Sequence, residues 1–306
     1  MQQDSAFLSK KYERSGKMNV TVVITLFNDM KVKRTIDSLR TQSHIPDQII
    51  IADGGSSKSF QKEIKNYIKN MKNIQFKILP GRCIDTRRQI IDLLIEDTDT
   101  DIIAFIDSDE IATETWLKKL IEPIEKGKAD FTGGPLIPTT AKSHPEHILN
   151  IICNENNKFA EKDISYMAMG NSAWHIDVFK KIGSFDDSSI SNKTDRDTIS
   201  GSYHISDDFD INIRARKAGL KGYYINDAVV EHNQSRINTY GKLLKYFYGQ
   251  YVRTAMAYFK HKETATKFTK ATRKRKIAHP FEFILFMVKL AALMNGWKEW
   301  NKINML

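Results

Sequence analysis

Short apolar runs alternate with helical segments over the first third of this 306-residue chain, and no other feature constrains its fold as strongly. The runs lie at Val20–Leu26, Gln48–Ala52, Ile74–Leu79 and Ile102–Ile106. Between them, apolar side chains recur at helical spacing over residues 32–42, 60–69 and 84–95. Because strands that alternate with helices form parallel βαβ units, we expect an α/β fold with a mostly parallel central sheet flanked by helices.

Two carboxylates follow the fourth of these runs. Asp107 and Asp109 are separated only by Ser108. Ligands of open α/β sheets bind just past the ends of such strands, and two closely spaced carboxylates can hold a divalent cation that in turn holds a diphosphate. Asp is also common after strands as a turn residue or helix cap. The pair alone therefore leaves both metal-dependent handling of a phosphorylated substrate and a purely structural role open.

Polar residues at two other strand-to-helix junctions could serve the same substrate. Asp53 precedes Gly54 and Gly55, and it could accept a hydrogen bond from a base or ribose while the glycines let the backbone approach a ligand. A glycine-rich turn explains the same residues. Arg82 and Arg87 lie at a predicted helix start, which the helix dipole disfavours. Either a diphosphate or a neighbouring Asp should therefore offset their charge.

Acidic residues also head a predicted helix in the second half of the chain. Asp207, Asp208 and Asp210 are three acids within four residues, more than helix capping needs. One of them, with its pKa raised by its neighbours, could act as a general base, although acids in a first turn also favour the helix dipole. His232 lies just past the last predicted strand, where it could bind a metal or be an ordinary polar side chain.

The pattern after Asp109 predicts further helices and strands. The helices cover residues 116–124, 178–182, 207–219, 240–259 and 280–297, and the strands cover 130–137 and 222–230. Residues 159–169 fit either type. The polar stretch 186–204 is long for a loop without apolar pattern, so it is either a functional lid or disordered.

Composition and charge limit the class of protein, its compartment and its partners. The two cysteines, Cys83 and Cys153, argue against a disulfide scaffold or a zinc ribbon and suit a reducing compartment. The start of the chain has no apolar signal-peptide region, and no apolar run reaches the length of about 18 residues that predicts a membrane span. The net charge of +10 is one-sided, since residues 240–306 hold 14 Lys and Arg against 3 Asp and Glu. An anionic partner is therefore expected for this segment.

Taken in order, these segments closely resemble a family 2 glycosyltransferase with the GT-A fold. The resemblance covers residues 20–232 and rests on Val20–Asn28, Ile49–Ser57, Thr86-Arg87, Asp107–Glu110, Met169–Asn171, Ile182–Asp186, Asp207–Asp210 with Arg214 and Gly219, and Val230–His232. It implies a Rossmann-like, mixed and mostly parallel sheet with a C-terminal helical extension. The chain departs from the family pattern at Thr25, where Pro is usual, at Arg88, where Asn is usual, at Lys58, where Asp is frequent, and at Asp207, where Glu is frequent.

The resemblance also implies a role for each matching residue. Nucleotide contacts fall to Thr25, Phe27, Asn28, Asp53, Arg87 and Asp107. Asp109 and His232 would bind the cation, and Asp208 would be the catalytic base. Contacts with the donor sugar or the acceptor fall to Gly134, Gly170, Asn171 and Asp207.

The implied reaction is an inverting hexosyl transfer from a nucleoside-diphosphate sugar, UDP- or GDP-linked, to a hydroxyl of a glycan or lipid-linked acceptor. It would use a divalent cation, Mn²⁺ or Mg²⁺. Three alternatives stay open: a metal-dependent sugar nucleotidyltransferase, a phosphatase of the haloacid-dehalogenase class, and a non-catalytic protein that binds nucleotide sugars or nucleic acid. Nucleic acid is not an expected partner, because no aromatic-basic platform accompanies Arg273–Lys276.

We expect three parts in the chain: a flexible lead-in over residues 1–18, a GT-A domain over 19–235 and a basic helical extension over 236–306. The last helix is too short to span a bilayer, and Lys289 interrupts it. A basic segment with an apolar face can lie on an anionic membrane surface; packing on the catalytic domain is the alternative. The expected localisation is cytoplasmic, with peripheral attachment to the inner face of the cell membrane as a further expectation.

Overall fold

The computed structural model of the chain describes residues 17–96, 99–164, 167–186, 206–261 and 281–304. The strands are β1 (Val20–Leu26), β2 (Gln48–Asp53), β3 (Ile74–Ile78), β4 (Ile102–Asp107), β5 (Glu110–Ala112), β6 (Phe131–Gly133), β7 (Leu136–Pro138), β8 (Ser172–His175), β9 (Gly222–Tyr224) and β10 (Val230–His232). The helices are α1 (Val32–Arg40), α2 (Lys58–Ile68), α3 (Cys83–Glu96), α4 (Trp116–Glu125), α5 (His144–Lys162), α6 (Ile176–Ile182), α7 (Asp207–Lys217), α8 (Tyr240–Lys260) and α9 (Phe281–Asn304).

Seven strands form a central sheet in the order β3-β2-β1-β4-β8-β6-β9. Strands β3, β2, β1 and β4 are parallel, whereas β8 runs antiparallel to both β4 and β6. The register sets Thr25 opposite Asp107 and Leu26 opposite Asp53, so the carboxyl ends of β1, β2 and β4 meet at one edge. This mixed, mostly parallel sheet flanked by helices confirms the predicted fold class.

Helices cover both faces of the sheet, because successive residues of a strand point to opposite sides. On β1, Val22 and Ile24 belong to a core shared with α1, α2 and α4. Val23, between them, belongs to a second core shared with α3, α6 and α7. Since both faces are buried, the central strands consist almost entirely of apolar residues, as the sequence showed.

A second sheet has three short strands in the order β5-β10-β7. Its middle strand, β10, pairs with β5 and so lies near the end of β4. The chain passes from β6 to β7 through Gly134, where a Cβ atom would lie 2.2 Å from the carbonyl oxygen of Ala228. Only glycine allows this approach. Pairing of β10 with β5 sets His232 opposite Glu110, and the backbone N–H of Asn233 donates to the carbonyl of Asp109 at 3.0 Å.

Helix α8 packs against both α5 and α7. Phe247 belongs to an apolar cluster with Ile152 of α5. Further along α8, Met256 shares a cluster with Phe209 of α7 and with Ala292 of α9. The C-terminal helices are therefore attached to the central domain through α8.

Buried charges reinforce the contact between α7 and the end of α8. Asp210 on α7 is 2% exposed, and its carboxylate accepts a hydrogen bond from Arg214 at 2.8 Å. It also lies 2.8 Å from His261 Nε2 and 2.7 Å from Lys260 Nζ. Burial alone would raise the pKa of Asp210, but these partners hold it well below its usual value. We call these residues the Asp210 cluster.

The longer predicted elements are confirmed, with most ends within three residues of the prediction, but the short strands were predicted incorrectly. The single strand predicted over 130–137 is two strands, β6 and β7, in different sheets. The strand predicted over 222–230 is likewise divided into β9 and β10. Helix α5 was not predicted; its end falls in the segment that the sequence left ambiguous.

Several predictions fall on parts of the chain that the structure does not describe. Residues 1–16 of the predicted lead-in, 187–204 of the predicted lid and Arg273–Lys276 lie outside the described residues. Asp186, at the start of the predicted lid, is described, and its carboxylate pairs with Lys260. Among the helices that are described, none has the length and apolar character needed to cross a bilayer.

Candidate active site

A cavity of about 700 Å³ opens at the carboxyl ends of β1 and β4. Ligands of open α/β sheets bind at this position. Ten of the thirteen residues predicted for the site line the cavity: Thr25, Phe27, Arg87, Asp107, Asp109, Gly134, Gly170, Asp207, Asp208 and His232. The other three, Asn28, Asp53 and Asn171, lie outside its lining. The fold thus brings most of the predicted residues together.

Arg87 links the acidic residues of the cavity. Its side chain is 4% exposed and donates to Asp107 at 2.7 Å and to Asp207 at 2.8 Å. The same guanidinium lies 3.7 Å from a carboxylate oxygen of Asp208, and Thr25 Oγ1 donates to Asp107. Separating such a buried ion pair would leave an uncompensated charge and is therefore costly. Arg87 thus holds Asp107 of β4 and Asp207 of α7 in position.

Asp208 is the acid in this group with a raised pKa. Burial and then the negative charge of Asp207 raise the pKa of Asp208 to about 7, against the opposing effect of Arg87. Even so, 41% of the side chain surface remains accessible, so the carboxyl can reach a ligand in the cavity. A carboxyl with these properties can take up a proton near neutral pH.

Asp109 and His232 form a second polar group in the cavity. His232 Nε2 lies 3.6 Å from Asp109 Oδ1. The other carboxylate oxygen, Oδ2, is buried and has no hydrogen-bond partner among the described residues. Burial alone would raise the pKa of Asp109, but His232, Arg236 and Lys31 hold it below its usual value. A charged, buried oxygen without a partner is costly unless a ligand satisfies it.

Glu110 is a further member of the site, to which sequence analysis assigned no role. It is fully buried, and one of its oxygens accepts from the backbone N–H of Asp107 at 2.7 Å. Burial and the neighbouring charge of Asp107 raise the pKa of Glu110 well above its usual value. A Cβ atom at Gly170 would lie 2.6 Å from Glu110 Oε1 and 2.9 Å from Asp107 Oδ2, so glycine leaves room for both acids. The only sequence signal for Glu110 was its place directly after Asp109.

Asp53 and Asn28 stabilise the loops at the ends of β2 and β1. Asp53 is fully buried, and its carboxylate accepts from the backbone N–H of Ser56 at 3.0 Å and from Gln61 at 2.9 Å. Asn28 has a φ of 46°, a conformation that Asn tolerates, and its side chain accepts from Ser57 N at 3.0 Å. Their predicted contacts with a nucleotide stay predictions.

Asn171 holds together the segments around Gly134. It is fully buried, and its Oδ1 accepts from Trp116 Nε1 at 2.7 Å. Its amide nitrogen donates to the carbonyls of Pro135 and Ala228 at 3.0 and 2.8 Å. Asn171 thus joins α4, the link between the two sheets and the approach to β10. Its predicted contact with donor or acceptor stays a prediction.

Replacing Asn171 by Ala is expected to lower the free energy of unfolding by about 2–4 kcal/mol, because buried partners lose their hydrogen bonds. Urea denaturation measures this change as a lower midpoint with an unchanged slope. Asn238→Ala is the control: Asn238 is exposed and its side chain accepts a hydrogen bond from Lys242 at 3.1 Å, so the loss of stability should stay within about 0.5 kcal/mol. A loss of under about 1 kcal/mol for Asn171→Ala would contradict the structural role.

Comparison with known proteins identifies the family. A model of the family described as Glycosyl transferase family 2 matches residues 21–183, more than half of the chain. The chain belongs to this family. The match includes Thr25, Arg87, Asp107 and Asp109, and ends before α7 and β10. A search of curated proteins gave no match.

Two solved structures share the fold of this family 2 glycosyltransferase. The mannosyltransferase PcManGT from Pyrobaculum calidifontis, in complex with GDP-Man and Mn²⁺, matches with a TM-score of 0.54 and 12% identity, over 96% of this chain and 80% of its own. TarS from S. aureus matches with a TM-score of 0.52 and 13% identity, over 75% of this chain and 40% of its own. At these identities the likeness establishes the GT-A fold alone.

The C-terminal part of this glycosyltransferase forms a wall of the cavity that sequence analysis did not predict. Helix α8 contributes Tyr246, Phe247, Gln250, Tyr251, Arg253 and Thr254, and α5 contributes Leu149, Ile152, Cys153, Asn156, Asn157 and Ala160. The available signal was the recurrence of aromatic residues at helical spacing along α8. The boundary predicted at residue 235, between the GT-A domain and the C-terminal extension, stays a prediction. It assigns α8 to the extension, although α8 lines the cavity.

Proposed function

We propose that this family 2 glycosyltransferase transfers a hexosyl group, with inversion, from a UDP- or GDP-linked sugar to a hydroxyl of a glycan or lipid-linked acceptor. The observation that carries the proposal is that Asp208, a carboxyl with a raised pKa, shares one cavity with the Asp109–His232 pair. Transfer from a diphosphate leaving group needs a base for the acceptor and a positive charge for the diphosphate. PcManGT, which shares the fold, is in complex with GDP-Man and Mn²⁺. This supports a nucleotide sugar and a divalent cation as the ligands of this chain.

The nucleotide end of the donor is assigned to the edge of the sheet where β1 and β2 end. Thr25, Phe27 and Gly54 line the cavity there. Phe27 exposes 45% of its surface, and an aromatic ring at this position can stack against a base. A cavity of about 700 Å³ also falls within the range of roughly 300–1,000 Å³ typical of small-ligand sites.

The residues present fit a divalent cation, Mn²⁺ or Mg²⁺. Asp109 and His232 would hold it, because the buried Oδ2 of Asp109 has no partner among the described residues and because carboxylate and imidazole both bind such metals. When bound, the cation would neutralise the negative charge that develops on the leaving diphosphate. The side-chain amide nitrogen of Gln234 lies 2.9 Å from His232 Nδ1 and restricts the orientation of the imidazole ring.

Asp208 is assigned the proton transfer. It would accept the proton of the acceptor hydroxyl while that oxygen attacks the anomeric carbon from the face opposite the diphosphate. Asp207 raises and Arg87 lowers the pKa of Asp208, and the Arg87 guanidinium lies 3.7 Å from its carboxylate. Phe247 and Tyr251 of α8 line the same cavity, so an acceptor would bind beside aromatic side chains.

A panel of nucleotides tests the donor assignment by thermal unfolding. We expect GDP or UDP to raise the Tm when Mn²⁺ is present, since ligand at about 100 times its Kd stabilises the folded state by about 2.7 kcal/mol. The corresponding monophosphates and chelated samples are the controls and should give smaller shifts. The donor assignment fails if neither diphosphate raises the Tm in the presence of Mn²⁺. Formation of a nucleotide sugar from a triphosphate and a sugar phosphate would instead support nucleotidyl transfer.

A further inference from the structure

We infer that the exposed face of α9 binds the surface of an anionic phospholipid membrane. Met287, Leu290, Leu293, Met294 and Trp297 are between 36% and 60% exposed. At 3.6 residues per turn, their positions fall within roughly a third of the helix circumference. We call these five residues the α9 stripe. A contiguous apolar surface of this kind marks an interaction site.

Over residues 287–298 of α9, small residues make the closest contact with α8. Ala292 is fully buried, and a Cβ atom at Gly296 would lie 2.7 Å from Ala255 Cβ and 3.1 Å from the carbonyl oxygen of Val252. A surface helix normally turns its large apolar side chains toward the core. Over residues 287–298 the small residues make the close contact and the stripe faces away from α8, so packing among the residues that the structure describes does not cover the stripe.

Charge favours a membrane over a second copy of this chain as the partner. Residues 240–306 contain 14 Lys and Arg against 3 Asp and Glu. Two copies joined through the α9 stripe would bring two such segments together, and their charges would repel. Anionic lipid attracts the same segment. Trp297 and the exposed Lys298 add side chains that favour the boundary between lipid and water.

The size of the α9 stripe leads to the same choice. It spans 11 residues of helix, from Met287 to Trp297, which at 1.5 Å per residue is about 16 Å. Its five side chains are few compared with the roughly 20–30 residues that each partner contributes to a standard protein interface. A narrow apolar face beside basic residues is instead sufficient for an interfacial helix, where burial and charge act together.

Helix α8 connects this surface to the cavity. Val252 and Ala255 of α8 contact α9, while Gln250, Tyr251 and Thr254 of the same helix line the cavity. A membrane bound at α9 would therefore lie one helix away from the site. The inference does not depend on the transfer reaction, because membrane binding can be measured without donor or acceptor.

Co-sedimentation of the full chain with vesicles tests the inference. The vesicles contain phosphatidylcholine either alone or with about 30% phosphatidylglycerol, an anionic lipid. The variant Leu290→Ser/Met294→Ser/Trp297→Ser changes only exposed residues of the stripe. The matched control is Ile45→Ser/Ile78→Ser/Tyr223→Ser, whose three side chains are 52%, 43% and 49% exposed. We expect binding to the anionic vesicles to fall about tenfold or more in the stripe variant and to stay unchanged in the control.

Vesicle binding at high salt and the mass of the protein in solution distinguish a membrane from a second copy of the chain as the partner. Binding of the unaltered chain should weaken in high salt and on vesicles without anionic lipid. Equal binding by the stripe variant and the unaltered chain, or no binding by the unaltered chain, would overturn the inference. A dimer in solution that the stripe variant converts to monomer, without vesicle binding, would identify a second copy as the partner. The single change Trp297→Ser, with circular dichroism, separates lost binding from lost folding.

Discussion

Asp208→Asn is expected to lower kcat by about 10³-fold while nucleoside diphosphate binding stays close to that of the unaltered enzyme. The amide has nearly the same shape as the carboxylate but cannot accept the acceptor proton. Arg87 keeps its shorter contacts, with Asp107 and Asp207, so the site should keep its geometry. Steady-state kinetics and calorimetry with GDP or UDP and Mn²⁺ separate the two effects.

Asp227→Asn is the matched control, because Asp227 is 78% exposed and pairs with Lys119 at 3.6 Å. It should change neither kcat nor binding. A kcat for Asp208→Asn within about tenfold of the unaltered enzyme would remove Asp208 from the base role.

The raised pKa of Asp208 predicts how kcat depends on pH. A base acts in its deprotonated form, so a pKa raised to about 7 means that activity falls as the pH drops through about 7. Asp207→Asn removes a negative charge that raises the pKa of Asp208, so it should move the falling limb to lower pH. The pH profile of kcat measures both effects.

Asp109→Asn is expected to weaken Mn²⁺-dependent binding of nucleoside diphosphate by about 100-fold, because it removes the charged ligand that we assign to the cation. Binding without Mn²⁺ should change little. Calorimetry with and without Mn²⁺ measures the difference. This variant loses nucleotide binding, whereas Asp208→Asn should retain it, so the pair of variants separates the cation site from the base.

Glu231→Gln provides the control for the cation site. Glu231 is exposed and is adjacent to His232 in β10, so the change tests a carboxylate of the same strand that is not assigned to the metal. It should leave Mn²⁺-dependent binding intact. If Asp109→Asn binds the diphosphate with the same Mn²⁺ dependence as the unaltered chain, Asp109 is not a ligand.

The sequence predicted the long elements well because their apolar spacing repeats over several turns or strand residues. It could not predict the three-stranded sheet, since strands of three residues, such as β5 and β10, are too short to show a period. Yet it is this sheet that brings His232 to Asp109, more than a hundred positions away in the chain. The metal pair was therefore implied by family resemblance and not by pattern.

Residue type also failed to distinguish side chains that face the cavity from those that support it. Asp53 and Asn171 belong to family motifs, but both are fully buried and bonded to protein partners. The aromatic residues of α8 are the opposite case, because nothing in their sequence placed them near the carboxylates. Which side a residue faces depends on tertiary packing, and a single sequence does not carry that information.

The Asp210 cluster ties the helix of the proposed base to the end of α8, and all of its residues lie outside the family match. The family match ends at residue 183, yet Asp210, two residues from Asp208, pairs with Lys260 and contacts His261 at the end of α8. A chain cut before Tyr240 would leave Arg214, on the same helix, as the remaining partner of this carboxylate and would remove the contacts that tie α7 to α8. The helix that carries the proposed base is thus held in place by a segment outside the family match, so changes at Lys260 or His261 should alter turnover although neither residue lines the cavity.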